Sequence, residues 1–383
     1  MGQGKKSRRI YKRTEEAQIL TVHGVTTIAL GYQMIDKIKS AIKKGLFYGG
    51  YYKFLEASRK PPGNRLLILM YHNFVDAATQ KSNWFYRDSP NPSQFEAALI
   101  TLKKDFRVIT VEDAVKELIE HGTLLQKSIA ITIDDGYLSS YNIAYPLLKK
   151  HGLRATVYLT TDWIGKQIYP WWRMFGDFVA NSTISNELIG KIEALLNRSI
   201  ELNIAAINGD FNRYHSLYTK VENIIRRMDD SSRLDILENL RNIFIGDQSI
   251  AQNKENILTW GQIREMSSYG IRFGAHTCSH INLSYSELDS AEREIAESKR
   301  KIEQSIDSPV DGFAYPYGHD IVAYEKFVPV LKKHDYKYAC ASMTGNVVPG
   351  SDLFMLHRLH MPLSTSRPIM SRTLSLEYLA ESY

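Results

Sequence analysis

Two histidines four residues apart, in His276-Thr277-Cys278-Ser279-His280, and a paired carboxylate, in Asp134-Asp135-Gly136, are the residues of this chain best suited to chemistry. Neutral imidazole nitrogen and carboxylate oxygen are the ligands a transition ion takes in a catalytic site, where one position stays open for water. Two adjacent carboxylates repel each other, and a bound cation compensates that repulsion. The pair can also divide its work, one Asp joining the two imidazoles in a facial ligand set while the other takes a proton. The chemistry expected of such a set is metal-dependent hydrolysis, provided the segments meet in space. Zn²⁺ is the default ion, and Co²⁺, Ni²⁺, Mn²⁺ or Fe²⁺ accept the same ligands.

The elements around these residues are those that bring loop ends together. Residues 66–71 (LLILMY), 128–133 (SIAITI) and 155–159 (ATVYL) are short apolar runs of the kind buried on both faces of a parallel sheet. Further strands are expected at 271–275, 312–314, 338–341 and 355–361. Between them lie helical patterns at 92–104, after Thr110 and Asp113, at 142–150, after Thr259, and after Ser284 and Glu287, where a capping box is expected. Alternating strands and helices imply parallel pairing, and about seven strands favour a closed barrel over an open sheet. Asp134-Asp135 and His276 both follow a strand directly, at the end where such barrels converge their loops.

Residues 166–255 break the alternation. Leu188, Ile192, Leu195 and Leu196, then Leu217, Val221, Ile224, Ile225 and Met228, then Leu234, Leu237 and Leu240 recur at helical spacing. A segment this long is expected to be a helical insertion rather than a loop. Pro61-Pro62-Gly63-Asn64 ends an N-terminal helical extension. The expected organisation is an extension at 1–63, a barrel at 64–165 and 256–370, the insertion at 166–255, and a tail at 371–383.

Composition narrows the function classes. The 383 residues are 44% hydrophobic and 23% charged, an ordinary globular balance, and a net charge of +6 is far below a nucleic-acid-binding signature. Two cysteines, Cys278 and Cys340, are expected as thiols. The basic run at residues 5–13 is followed by a stretch too polar for a clean signal peptide. Residues 35–54 combine Ile35, Ile38, Ile42 and Leu46 with lysines and aromatics. A helix packed on the main domain is the favoured reading, and peripheral contact with an anionic membrane is the other. Without a convincing export signal the chain is expected inside the cell, possible contact with the membrane surface included, with the cell envelope or secretion as the alternative.

TIDDG at 132–136, HTCSH at 276–280 and AYPYG at 314–318, in that order, resemble the motifs of the NodB-like polysaccharide deacetylases, carbohydrate esterase family 4. Met70-Tyr71-His72 resembles the strand that opens many members' domains. The resemblance covers roughly 64–165 and 256–365. It implies a distorted (β/α)7 barrel and removal of acetyl groups from N-acetylhexosamine residues of a glycan or glycolipid. It implies Asp134 as catalytic base, Asp135, His276 and His280 as metal ligands, and the Tyr317 backbone N–H as an oxyanion donor.

The sequence departs from the family's pattern at two points. Where many members carry a base-orienting arginine this chain has Ala314, and Arg358 resembles a substitute used by some. No segment matches the usual general acid. His357 and His360 are both near, and because residues two apart share a strand face, His360 is the better candidate if Arg358 points at the site. His72, Trp163, Trp171 and Trp172 are candidate substrate-binding residues, although aromatic clusters are more often core. Two other readings stay open: a glycan-binding barrel without turnover, and a hydrolase of another linear or cyclic amide.

Overall fold

The computed structural model describes residues 64–207, 209–246, 252–318, 324–361 and 363–379. The extension at 1–63, with the amphipathic stretch 35–54, lies outside these residues. Among the described residues ten strands form: β1 (Leu66–Tyr71), β2 (Arg107–Ile109), β3 (Ser128–Ile133), β4 (Thr156–Leu159), β5 (Gln167–Ile168), β6 (Glu255–Asn256), β7 (Arg272–Ala275), β8 (Gly312–Ala314), β9 (Tyr338–Cys340) and β10 (Leu359–His360). Eight of them make one sheet in the order β10-β1-β3-β4-β7-β8-β9, with β2 also paired to β3, and every pairing in it is parallel. A bridge between Cys340 and Leu356 ties β9 to the segment entering β10, so the sheet curls back on itself. This is the distorted (β/α)7 barrel expected.

Both faces of β1 and β3 are fully buried, which is why their sequences run apolar without alternation. Leu67, Leu69, Ile129 and Ile131 pack outward against Phe95, Leu99 and Leu102 of the Pro92–Asp105 helix and its neighbours. Leu66, Ile68 and Ala130 point into the bore, where they meet Tyr158, Tyr338 and Cys340. Two glycines make room for the tyrosine rings. A Cβ on Gly274 would strike the ring of Tyr158, and one on Gly312 would strike that of Tyr338.

The insertion folds around a core of its own. Helices Trp171–Ala180, Asn186–Leu196, Asp210–Ile225 and Asp230–Phe244 bury Phe175, Val179, Ile192, Leu217, Val221 and Leu240 together. One expectation fails here. Leu234 is 62% exposed while its neighbour Arg233 is 4% exposed. The buried stripe of that helix runs Arg233, Leu237, Leu240, Phe244, and Leu234 falls off it. Nor is the region strand-free, because β5 pairs with β6 across its base.

Other boundaries shift for local reasons. The capping box expected at Ser284 and Glu287 does not form. Asn282 instead caps a 3₁₀ turn at Leu283–Tyr285, and the next helix starts at Leu288 with no side-chain cap bond from Glu287. The strand expected over 355–361 splits into the Leu356 bridge and β10. The strand β2 was not foreseen. Cys278 and Cys340 are free and buried, as expected. No helix among the described residues is long and apolar enough to cross a membrane.

Candidate active site

The barrel brings the separated motifs together. Asp134 and Asp135 follow β3, His276 follows β7, and His280 lies on the same loop. His276 Nε2 and His280 Nε2 each sit 3.4 Å from Asp135 Oδ1. The three donor atoms lie within 4.8 Å of one another. The histidines share a loop turn rather than a helical face, because Thr277 and His280 have φ of 62° and 64°. Asp135 and Tyr317 are left-handed as well, at 73° and 54°. Each such non-glycine residue costs roughly 1–3 kcal/mol, and clusters of them mark functional sites. Gly136, at φ 81°, lets the chain leave the carboxylate pair.

Hydrogen bonding at this cluster is incomplete in an informative way. His276 Nδ1 lies 2.7 Å from the Ala314 carbonyl oxygen, which can only accept, so Nδ1 carries the proton. As a neutral imidazole, the form that ligates a metal, His276 turns a lone pair on Nε2 toward Asp135 Oδ1. That oxygen is buried and has no hydrogen-bond partner, and 3.4 Å exceeds the roughly 2.7–2.9 Å of a charge-assisted bond. Electron pairs facing one another in a buried site need a cation between them. Metal bonds of about 2.0–2.2 Å in a tetrahedral set put ligand atoms roughly 3.3–3.6 Å apart. The observed separations fit that spacing, so Asp135, His276 and His280 suit a divalent ion. Burial favours a neutral imidazole at His280 and lowers its pKa, although Asp135 opposes this.

Asp134 stands beside the cluster with different partners. Its Oδ1 accepts from Arg358 Nη1 at 2.8 Å, and both side chains are almost fully buried. Arg358 also donates through Nε to the Ala341 carbonyl oxygen at 2.9 Å and through Nη1 to Thr132 Oγ1 at 3.3 Å. Burial alone would raise the Asp134 pKa. The Arg358 guanidinium leads the influences that outweigh it and hold the carboxyl below its usual value. Asp134 is therefore a carboxylate at neutral pH. The arginine absent at position 314 is supplied in space from the segment before β10.

The other candidates divide around a cavity of about 540 Å³ over these residues. His72 lines it, with Nε2 3.9 Å from Asp134 Oδ2. His360 lines it from the rim, its ring 6.3 Å from that of His72 and nearly parallel. His357 is not among the lining residues. It packs over Gly345, whose added Cβ would meet the His357 ring. Strand alternation explains the split, since Arg358 turns inward and His357 does not. Trp171 and Trp172 line the cavity, and Trp163 lines a smaller recess beside it. Trp171 Nε1 donates to the Tyr317 hydroxyl at 2.8 Å, and Trp163 stacks on His280 with ring centres 5.3 Å apart.

Several lining residues had no signal in the sequence. Asn73, Tyr137, Tyr218, Glu222, Arg226, Glu255 and Ser342 all face the cavity. Four of these, Tyr218, Glu222, Arg226 and Glu255, come from the insertion, which therefore forms part of the wall. Arg233 lies over the rings of Trp171 and Tyr317, 5.2 and 5.6 Å from their centres.

Comparison with known proteins points one way. The sequence profile described as polysaccharide deacetylase matches residues 121–205 and 240–339. A Bacillus subtilis (strain 168) protein named as a polysaccharide deacetylase, YxkH, is 32% identical over 105 residues, which are 27% of this chain and 33% of that protein. The match thus spans about a third of that relative's length. Among solved structures, the Streptococcus pyogenes deacetylase PplD in complex with acetate superposes with a TM-score of 0.53 at 18% identity, covering 81% of this chain and 98% of that one. IcaB from Ammonifex degensii gives 0.49 at 17% identity over 83% and 98%. At 18% identity the PplD superposition speaks to the fold alone.

Proposed function

Because its sequence profile and motifs match those of the polysaccharide deacetylases, we propose that the chain is a metal-dependent hydrolase that removes acetyl groups from N-acetylated sugars of a glycan or glycolipid. The observation that carries the reading is the unpartnered, buried Asp135 Oδ1 facing two imidazole nitrogens, with a second carboxylate, Asp134, held apart from it by Arg358.

Asp135, His276 and His280 would hold the ion, with Zn²⁺ the default. When bound, it supplies Lewis acidity to the acetamide carbonyl and lowers the pKa of a water from about 15.7 toward 7. Asp134, ionised and oriented by Arg358, accepts a proton from the attacking water. The Tyr317 backbone N–H, presented by its left-handed turn, donates to the oxyanion that forms at the carbonyl. Breaking the C–N bond requires a proton on nitrogen, because an amine anion is too basic to leave. His360 at the rim delivers that proton. Trp171 and Trp172 offer ring faces to the sugar. The products are acetate and a free amino sugar. Arg358 beside Asp134 counts against a barrel without turnover, since the base keeps an orienting arginine despite Ala314.

The test is acetate release from N-acetylglucosamine oligomers by the zinc-loaded protein. His360→Ala is expected to lower kcat by roughly 10²-fold or more, the usual contribution of a general acid. His357→Ala is expected to stay within about twofold. Equal loss in both variants would remove His360 from its role. No acetate from the wild-type protein would remove the reading itself.

A further inference from the structure

The reaction needs the cavity to hold the sugar as well as the acetyl group, and one carboxylate on the wall is placed for it. β6 and the residues after it run antiparallel to the chain leaving Asp134-Asp135. Tyr137 pairs with Ile257, and Leu138 N donates to the Asn256 carbonyl oxygen at 2.8 Å. The same register sets Glu255 opposite Ser139, a few residues beyond the carboxylate pair. Glu255 lines the cavity.

Its surroundings are built rather than incidental. The Tyr86 hydroxyl donates to Oε1 at 2.5 Å, and Asn73 Nδ2 donates to Oε2 at 3.2 Å. The Asn73 amide is itself oriented. The Ser139 hydroxyl accepts from Phe74 N and so must give its own proton to Asn73 Oδ1, at 2.7 Å. Three separate segments thus fix one carboxylate. Its two oxygens offer about four acceptor positions, and these bonds fill two. Arg173, paired with Asp177 at 2.9 Å, also attracts Glu255, so the three groups together keep one net negative charge when both carboxyls are ionised. Burial is the largest influence on Glu255 and lifts its pKa above the ordinary carboxylate value.

We propose that Glu255 is a specificity-determining residue that accepts a hydrogen bond from a hydroxyl of the bound sugar, an inference that rests on the glycan reading above. A half-buried anion with open acceptor positions suits a hydroxyl donor and repels an anionic substituent.

The test uses Glu255→Gln, which keeps the shape and removes the charge. Three quantities are measured on zinc-loaded protein: the Kd of an N-acetylglucosamine tetramer, kcat and KM for acetate release from it, and hydrolysis of the sugar-free probe 4-nitrophenyl acetate. The expected result is a tetramer Kd and KM raised about tenfold or more, as for loss of one charge-assisted bond. Hydrolysis of the nitrophenyl ester and kcat stay within about twofold. Unchanged tetramer affinity, or a parallel loss on both substrates, overturns the proposal. Tyr86→Phe guards against misfolding as an explanation. It vacates an acceptor position, so tetramer affinity should hold, whereas a purely structural Glu255 predicts loss. If the wild-type protein hydrolyses neither substrate, the deacetylase reading fails, and the tetramer Kd still decides the role of Glu255.

Discussion

Asp134→Asn is expected to lower acetate release by about 10²–10⁴-fold while leaving the bound metal in place. The amide preserves the shape of the side chain and an oxygen to accept from Arg358 Nη1, now 2.8 Å from Asp134 Oδ1. It cannot take a proton. The two adjacent aspartates therefore separate by experiment. Asp134→Asn keeps the ion and loses turnover, whereas Asp135→Asn weakens the ion's hold, because Asp135 Oδ1 is the atom that both imidazoles face. Metal content and acetate release are measured on each variant. Activity within a few-fold of wild type in Asp134→Asn would show that another group activates the water.

Arg358→Met is expected to cost about 3–5 kcal/mol of stability, the usual penalty for removing one partner of a buried ion pair. Arg358 is 1% exposed and Asp134 likewise 1%, so water cannot replace the lost guanidinium. The carboxylate would be left charged in a low-dielectric site, or protonated and useless as a base. Activity should fall with stability. The double variant Arg358→Met with Asp134→Asn separates the causes. With no charge left to compensate, it should be more stable than Arg358→Met alone, read in denaturant unfolding. A simple sum of the two single effects would mean that the pair does not interact as the geometry indicates.

What could be read from the sequence follows physical lines. Strands β1 and β3 were legible because burial on both faces leaves an unbroken apolar run, and the short β2 was not. The motifs were legible because they are contiguous and sit at strand ends. Arg358 was found only through a resemblance, since its link to Asp134 spans 224 positions. Glu255 gave no signal at all. Its donors, Asn73 and Tyr86, lie 182 and 169 positions away, and a lone acid at the end of a polar stretch looks like surface. The insertion's helices were legible from spacing. Their orientation was not, because hydropathy places Leu234 inward and the fold instead buries Arg233 against Trp171 and Tyr317. A guanidinium stacked on aromatic faces behaves as part of a packed surface, which hydropathy does not anticipate.

The measurement that decides most is a zinc titration of metal-free protein, followed by elemental analysis, for the wild type and Asp135→Ala. One ion bound per wild-type chain, sharply weakened in the variant, is the expected outcome. A wild-type chain that takes up no ion with zinc in excess, or a variant that binds it equally well, would contradict the proposal that Asp135, His276 and His280 form a metal centre beside a separate base.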